Sequence, residues 1–398
     1  MNATSAIRRP PAPPGAVRWI KKNLLSTWYN VLLTLVALIF VFFVSRGVLR
    51  WVFFTANWTP ITSSLKLFAV GQFPPDQVWR VGTAVLLVSF LFGLSWRVWG
   101  GTVGTFALAL AVGGAAVAVL PFELSSGVRL WGVANPLLVG VGYLVGRTSL
   151  GKPRWAALGW ALSFGGTTAL LTGVRGVSWL PRVETGLWGG LLLTFLLALV
   201  GIVASFPIGV MLALGRRSSL PVLKLFCTLF IEIVRGVPLV TILFMFSVIL
   251  PLFLPEDVRV DRVLRAMMGM TLFAAAYMAE NIRGGLQAIP SGQIEAAKAV
   301  GLNGLQTTVL IVLPQALRMV IPAIVGQFIA LFMDTTLAVI VGLVELLQIG
   351  RAVIQSNPEW LMLDMEVYLF IGAVFWVFTY AMSYASQRLE QTLGVGRR

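Results

Sequence analysis

Long apolar runs separated by short polar punctuation dominate the chain, and the runs have the length of a bilayer crossing. About twenty consecutive apolar residues span the hydrocarbon core as a helix. Such runs are predicted near 28–45, 80–96, 101–121, 130–146 and 155–173, then near 187–214, 229–253, 265–283, 318–341 and 367–387. The expectation is therefore an all-α integral membrane protein of about ten transmembrane helices. Eight is the alternative if the Gly-rich fourth and fifth runs, the fourth interrupted by Pro136, do not cross. The first run follows Arg8, Arg9, Arg18, Lys21 and Lys22, as a secretory signal would. It exceeds a usual signal core, and Ser45-Arg46-Gly47 offers no small-residue cleavage site, so it is expected to remain as an anchor.

Basic residues supply the orientation. With the N-terminus inside, eighteen Lys and Arg fall in inside segments and eleven outside, with Arg235 left within a run. That is the bias of cytoplasmic loops. Both termini are then cytoplasmic, and 46–79 includes an external segment. Trp28, Trp51, Trp79, Trp99, Trp131, Trp155, Trp188 and Trp360 fall near predicted ends, as interfacial belts do. Four divisions are expected: a cytoplasmic segment 1–27, a Gly-, Trp- and Val-rich membrane extension 28–183, a core 184–390 with polar residues patterned inside its helices, and a cytoplasmic tail 391–398. No internal repeat is visible.

Composition narrows the class. Hydrophobic residues make up 58% of 398 and charged residues 11%, with a mean hydropathy of +0.89. Soluble domains carry about 25% charged residues. The net charge of +15 is read as retained loop charge, not as a nucleic-acid surface. With no His and one Cys, His-based triads, Cys/His zinc sites and internal disulfides are excluded, and no metal site is expected. Residues 146–152 (GRTSLGK) fit seven positions of a phosphate-binding loop, but the eighth, where a hydroxyl must ligate magnesium, is Pro153. The chain is expected to be non-catalytic and to bind no cofactor.

One segment looks soluble. EAAKAVGLNG, Glu295 to Gly304, lies between Pro290 and Pro314 on the inside. Pro290 and Ser291 suggest a helix start and Gly301 a left-handed stop, followed by a second helix from about Leu305 that Pro314 bends. Ala296, Ala297 and Ala299 give it a small-residue face able to fit closely against another protein. Read from the residues alone, an ordinary helical loop fits as well.

Glu295, Ala296 and Ala297, then Gly301, then Ile311 to Pro314 resemble the EAA motif of bacterial ABC-importer permeases. The runs EIVRGVPL (232–239), AYMAE (276–280), IRG (282–284), QAIPSGQ (287–293), LPQALR (313–318) and GQFI (326–329), with Asp334-Thr335, resemble the polar amino-acid permeases. The likeness covers about 185–390. The long N-terminal half resembles the larger permease of general and acidic/neutral amino-acid systems. Gly326 departs from the pattern, standing where the family often has Asn.

The resemblance implies a five-helix type I importer core paired with a second, homologous permease. Two ATPase subunits, which bind ATP and Mg, would dock on a coupling loop near 284–314 through Glu295, Ala296, Ala297 and Gly301. An external binding protein would deliver polar, acidic and neutral L-amino acids across a bacterial inner membrane. Which amino acids are carried is not set by the sequence.

Ionisable groups inside spans are costly and face a cavity or a partner. Lys224, Thr228, Glu232 and Arg235 form one helical stripe, and Gln327, Asp334 and Thr335 another. Arg235, Glu280, Asn281, Gln327, Asp334 and Thr335 are the candidates for a hydrophilic substrate path, with the pocket in this chain or in the partner permease. Glu232 with Arg235, or Glu280 with Arg283, would otherwise be structural ion pairs. The alternative functions are an autonomous ion-coupled secondary transporter and, less compatible with the absence of His, an intramembrane lipid-modifying enzyme.

Overall fold

The structure is a computed structural model that describes residues 15–119 and 125–394. Arg8, Arg9, Arg397, Arg398, most of the 1–27 segment, the end of the third run and half of the tail lie outside the described residues. Among those described there is no strand, and a lone bridge joins Gly190 to Glu345. The fold is all-helical.

The chain forms two compact units, residues 1–58 and 59–398. The first holds α1 (Ala16–Asn23) and α2 (Trp28–Arg50), which continues through a π turn, Trp51–Thr55. No residue of α2 is buried. A helix apolar on every side and exposed along its length suits lipid or another chain.

The second unit opens with two short helical turns, Thr59–Ser63 and Leu65–Val70, and a four-helix group. These are α3 (Trp79–Trp99), α4 (Gly101–Val119), α5 (Ser126–Val145) and α6 (Pro153–Thr172). α3 packs on the other three. Asn135 donates to Ser89 Oγ at 2.8 Å and the Trp160 indole to Ser95 Oγ at 2.9 Å, so buried polar groups tie α5 and α6 to α3. The GRTSLGK stretch is the turn between α5 and α6, with no strand before it.

The remainder comprises α7 (Gly190–Arg216), α8 (Pro221–Gly236), α9 (Leu239–Phe244, extended by a π turn to Phe253) and α10 (Arg262–Gln287). After them come α11 (Ser291–Ala299), α12 (Leu313–Asp334), α13 (Leu346–Ser356) and α14 (Asp364–Leu393). α10 is central, packed along α7, α12, α8 and α9. Ala274, Ala275, Ala276, Met278, Ala279 and Ile282 are buried there. A Cβ at Gly285 would come within 2.7 Å of the Ala316 carbonyl, so glycine sets how closely α10 and α12 approach.

Helices stand at all ten predicted positions. By length and apolar character, seven described helices qualify as spans, or eight if the bent pair α8 and α9 is one crossing. The other two are α6 and α10. α10 needs no lipid-compatible surface because protein surrounds it, which is how it carries Glu280, Asn281 and Arg283. One expectation needs correction. The seventh run is not one rod: α8 begins at Pro221, and the pair bends by 109°. Val237, held extended at φ −113°, ψ 136° ahead of Pro238, makes the break, because a residue before proline is pushed out of the helical region. The helix expected from about Leu305 is present: it runs from Gly304 without a break into α12, with Thr307–Val312 forming a π turn ahead of Pro314. That wider turn relieves the carbonyl that Pro314, lacking an N–H, cannot satisfy.

Candidate functional site

The link between α10 and α12 is short and structured at both ends. Pro290 precedes α11, and Gly301 ends it at φ +85°, a conformation glycine adopts without strain. The Gly301 N–H donates to the Lys298 carbonyl at 3.0 Å and the Leu302 N–H to the Ala297 carbonyl at 3.1 Å. These two bonds form a Schellman cap. Asn303 then caps the next turn reciprocally with Gln306. Glu295, Ala296 and Ala299 are exposed, whereas Ala297 is buried. At about 100° per residue Ala297 points away from Glu295 and Ala299, so the outward face is narrower than the three-alanine face expected. Nothing lies within 4 Å of a Cβ built on Gly301.

Five charged side chains meet where α7, α8 and α10 converge. The Glu280 carboxylate is the hub. Arg283 donates through Nε at 3.0 and 2.9 Å to its two oxygens and through Nη2 to Oε1. Arg216 Nη1 lies 3.3 Å and Arg235 Nη1 3.8 Å from Oε2. Arg216 also holds Glu232 at 2.8 Å. Of the two structural pairs considered from sequence, Glu280 with Arg283 forms, whereas Glu232 takes Arg216 in place of Arg235. Three guanidiniums face two carboxylates, leaving one positive charge in excess. Arg235 is the least engaged: its Nε finds no acceptor among the described residues, and its guanidinium stacks 5.4 Å from the Tyr277 ring. The side chains keep 22–54% exposure, so water reaches the cluster.

The other path candidates are not part of this cluster. Asn281 follows Glu280 and is half-buried. Gln327 and Asp334 are half-buried on α12, which runs antiparallel to α10, with Ala316 and Val320 opposite Gly285. At 1.5 Å per residue Asp334 lies about 15 Å farther along the bundle than Glu280. Thr335 is fully buried, and its hydroxyl donates to the Phe332 carbonyl at 2.7 Å, closing the turn after Asp334.

Two groups escaped the sequence reading. Arg216, counted as loop charge, is drawn into the cluster by residues 16 and 64 positions away, which no helical period connects. Glu345 is fully buried outside the spans. It caps α13 by accepting from Leu347 N–H at 2.8 Å and Gln348 N–H at 2.9 Å, and burial raises its carboxyl pKa to about 7. Its signal was positional: an acid directly before the apolar period Leu346, Ile349, Val353.

Comparison with known proteins bears on this arrangement. Residues 205–395 match the family described as binding-protein-dependent transport system inner membrane component. The chain is 37% identical to the inner membrane amino-acid ABC transporter permease protein YhdY of Escherichia coli K12, covering 98% of both chains. It is 34% identical to the glutamate/glutamine/aspartate/asparagine transport system permease protein BztC of Rhodobacter capsulatus, covering 99% of both. The glutamate/aspartate import permease protein GltK of Escherichia coli O6:H1 is 33% identical over 49% of this chain and 87% of its own. Similarity over the whole length therefore extends through the N-terminal half, and a shorter relative aligns with only half of the chain. This chain belongs to the inner-membrane permease components of binding-protein-dependent amino-acid ABC transport systems.

Proposed function

We propose that this permease moves polar L-amino acids, acidic and neutral, into the bacterial cytoplasm. It would do so paired with a second, homologous permease and driven by two ATPase subunits that dock on α11. Residues 184–390 form the translocating core, with the coupling loop at 284–314. Residues 28–183 are a membrane extension, and the 1–27 and 391–398 ends are cytoplasmic. The chain itself catalyses nothing; ATP and Mg belong to the ATPase, and substrate arrives from an external binding protein.

The observation that carries the coupling role is α11 itself. It is a short helix with exposed Glu295 and Ala296, capped by Gly301 and placed between α10 and α12, which pack against each other in the core. A push on α11 reaches the Glu280 cluster through α10 and Gln327 and Asp334 through α12. The substrate class is supported by the names of the relatives and by the excess positive charge around Arg235, which suits an α-carboxylate. Arg235, Glu280, Asn281, Gln327 and Asp334 line the path, with Thr335 fixing the turn beside Asp334. An autonomous ion-coupled carrier is not favoured, because relatives matching over the full length are ABC permeases.

A cysteine replacing Ala296, in a Cys227→Ala background, tests the docking. It should crosslink to the ATPase in the assembled complex, while a cysteine replacing the buried Ala297 should not. Crosslinking at neither position would remove α11 from the ATPase contact.

A further inference from the structure

The first unit carries a surface that the transport role leaves unexplained. On α1, at about 100° per residue, Arg18, Lys21 and Lys22 fall within an arc of about 100°, and Val17, Ile20 and Leu24 fall together outside it. All six side chains are exposed, Val17 at 71%. None of the three cations has an acidic partner among the described residues. No acid occurs anywhere from Met1 to Pro75. The helix is also held in place: the Thr34 hydroxyl of α2 donates to the Leu24 carbonyl at 3.0 Å, and Asn23 donates back to the Trp19 carbonyl at 2.9 Å. α1 is thereby fixed beside the first turns of α2, where Trp28 and Tyr29 are exposed as interfacial aromatics are.

We propose that α1 is an interfacial helix that binds anionic phospholipid. Its apolar arc lies in the headgroup–acyl boundary, and Arg18, Lys21 and Lys22 contact phosphate or glycerol headgroups. A short amphipathic helix whose polar face is wholly basic, joined to a membrane span, is built for that surface. A protein groove would have to match the apolar arc and also supply acids for three cations. A bilayer surface supplies both, with no acid needed from this unit. Each basic residue near an anionic surface contributes about fivefold in partitioning, so the three together contribute on the order of 100-fold. The permease would then be sensitive to the anionic lipid content of its membrane and to ionic strength. This holds whichever amino acid is carried and whether or not α11 couples to an ATPase.

The test uses the full-length chain in nanodiscs of brominated phosphatidylcholine with or without brominated phosphatidylglycerol. Both leaflets carry the anionic lipid, so the outcome does not depend on which side the N-terminus faces. A bimane label is placed at Ile20→Cys in a Cys227→Ala background. Quenching should be markedly greater with phosphatidylglycerol. Raising salt from 0.1 to 1 M, which shortens the Debye length from about 10 to about 3 Å, should remove the difference. The variant Arg18→Gln, Lys21→Gln, Lys22→Gln should show none at any salt. Equal quenching in both lipids at low salt, no quenching in either, or a difference that survives high salt or the triple substitution would overturn the assignment. The salt series on the chain with its native basic residues decides the matter even if the triple variant inserts poorly.

Discussion

Substitutions at Gly301 separate a backbone requirement from a size requirement at the end of α11. The residue sits at φ +85°, and an added Cβ would meet nothing within 4 Å, so the whole cost of a side chain there is conformational. Holding an ordinary L-residue in the left-handed region costs about 1–2 kcal/mol, with Asn suffering least and β-branched residues most. At about 1 kcal/mol, Gly301→Ala lowers the population of the capped helix roughly fivefold. Gly301→Val lowers it further, and Gly301→Asn stays closest to the parent. The Leu302 N–H to Ala297 carbonyl bond opens with the cap, freeing the last turn that carries Lys298 and Ala299. Since α11 lies outside every span, membrane insertion should be unchanged. The assay is the amount of ATPase retained on the purified complex, together with its ATP-dependent uptake. Both should fall in the order Gly, Asn, Ala, Val. If Val equals Gly, or if the order follows volume so that Asn is worse than Ala, the left-handed stop is not what positions α11, and the coupling role loses its structural basis.

Other perturbations address the rest of the core. Asp334→Ala should lower uptake more than assembly, and a thiol probe should label Gln327→Cys, without Cys227, differently with and without ATP; complexes that fall apart, or unchanged labelling, would make these residues scaffold. Glu280→Gln leaves three arginines around Glu232 alone. Loss of one partner from a buried pair costs about 3–5 kcal/mol, and the 22–33% exposure of these side chains reduces that to about 1–2 kcal/mol. Thermal unfolding of the complex should show this loss and its partial recovery on adding Arg216→Gln; additive losses would refute the network. Glu345 carries a native pKa near 7 against an ordinary 4.5, so the native state holds the extra proton between those values. The Glu345 contribution to stability should therefore be full below about pH 4.5, shrink as pH rises through 7 and level off above, by on the order of a few kcal/mol. Glu345→Gln should flatten that slope, and an unchanged slope would assign it to other groups.

Hydropathy located the helices because the bilayer imposes a length that apolar runs must meet, and it did so even for α10, whose surroundings are protein. What it could not convey was direction. The 109° bend after Gly236 has local causes, Val237 and Pro238, but prolines are tolerated inside spans, so the same residues also fit a straight helix. The α11 cap was readable because a Schellman stop is local and glycine is its ordinary residue. The charge cluster was half readable. Glu280 and Arg283 are one turn apart, whereas the approach of Arg216 depends on α7 lying parallel to α10, which only tertiary packing sets. Thr335 shows the opposite failure: a polar residue on an attractive stripe is occupied by the carbonyl three residues before it.

Uptake by the purified complex in proteoliposomes bears most directly on what this permease does. The complex would contain this chain, its partner permease and the ATPase, with the binding protein added, and would be offered a panel of amino acids. Uptake of glutamate, aspartate or their amides should require ATP on the ATPase side and the binding protein on the other, and should persist when proton and sodium gradients are collapsed. Uptake by this chain alone, driven by an ion gradient and indifferent to ATP, would contradict the assignment.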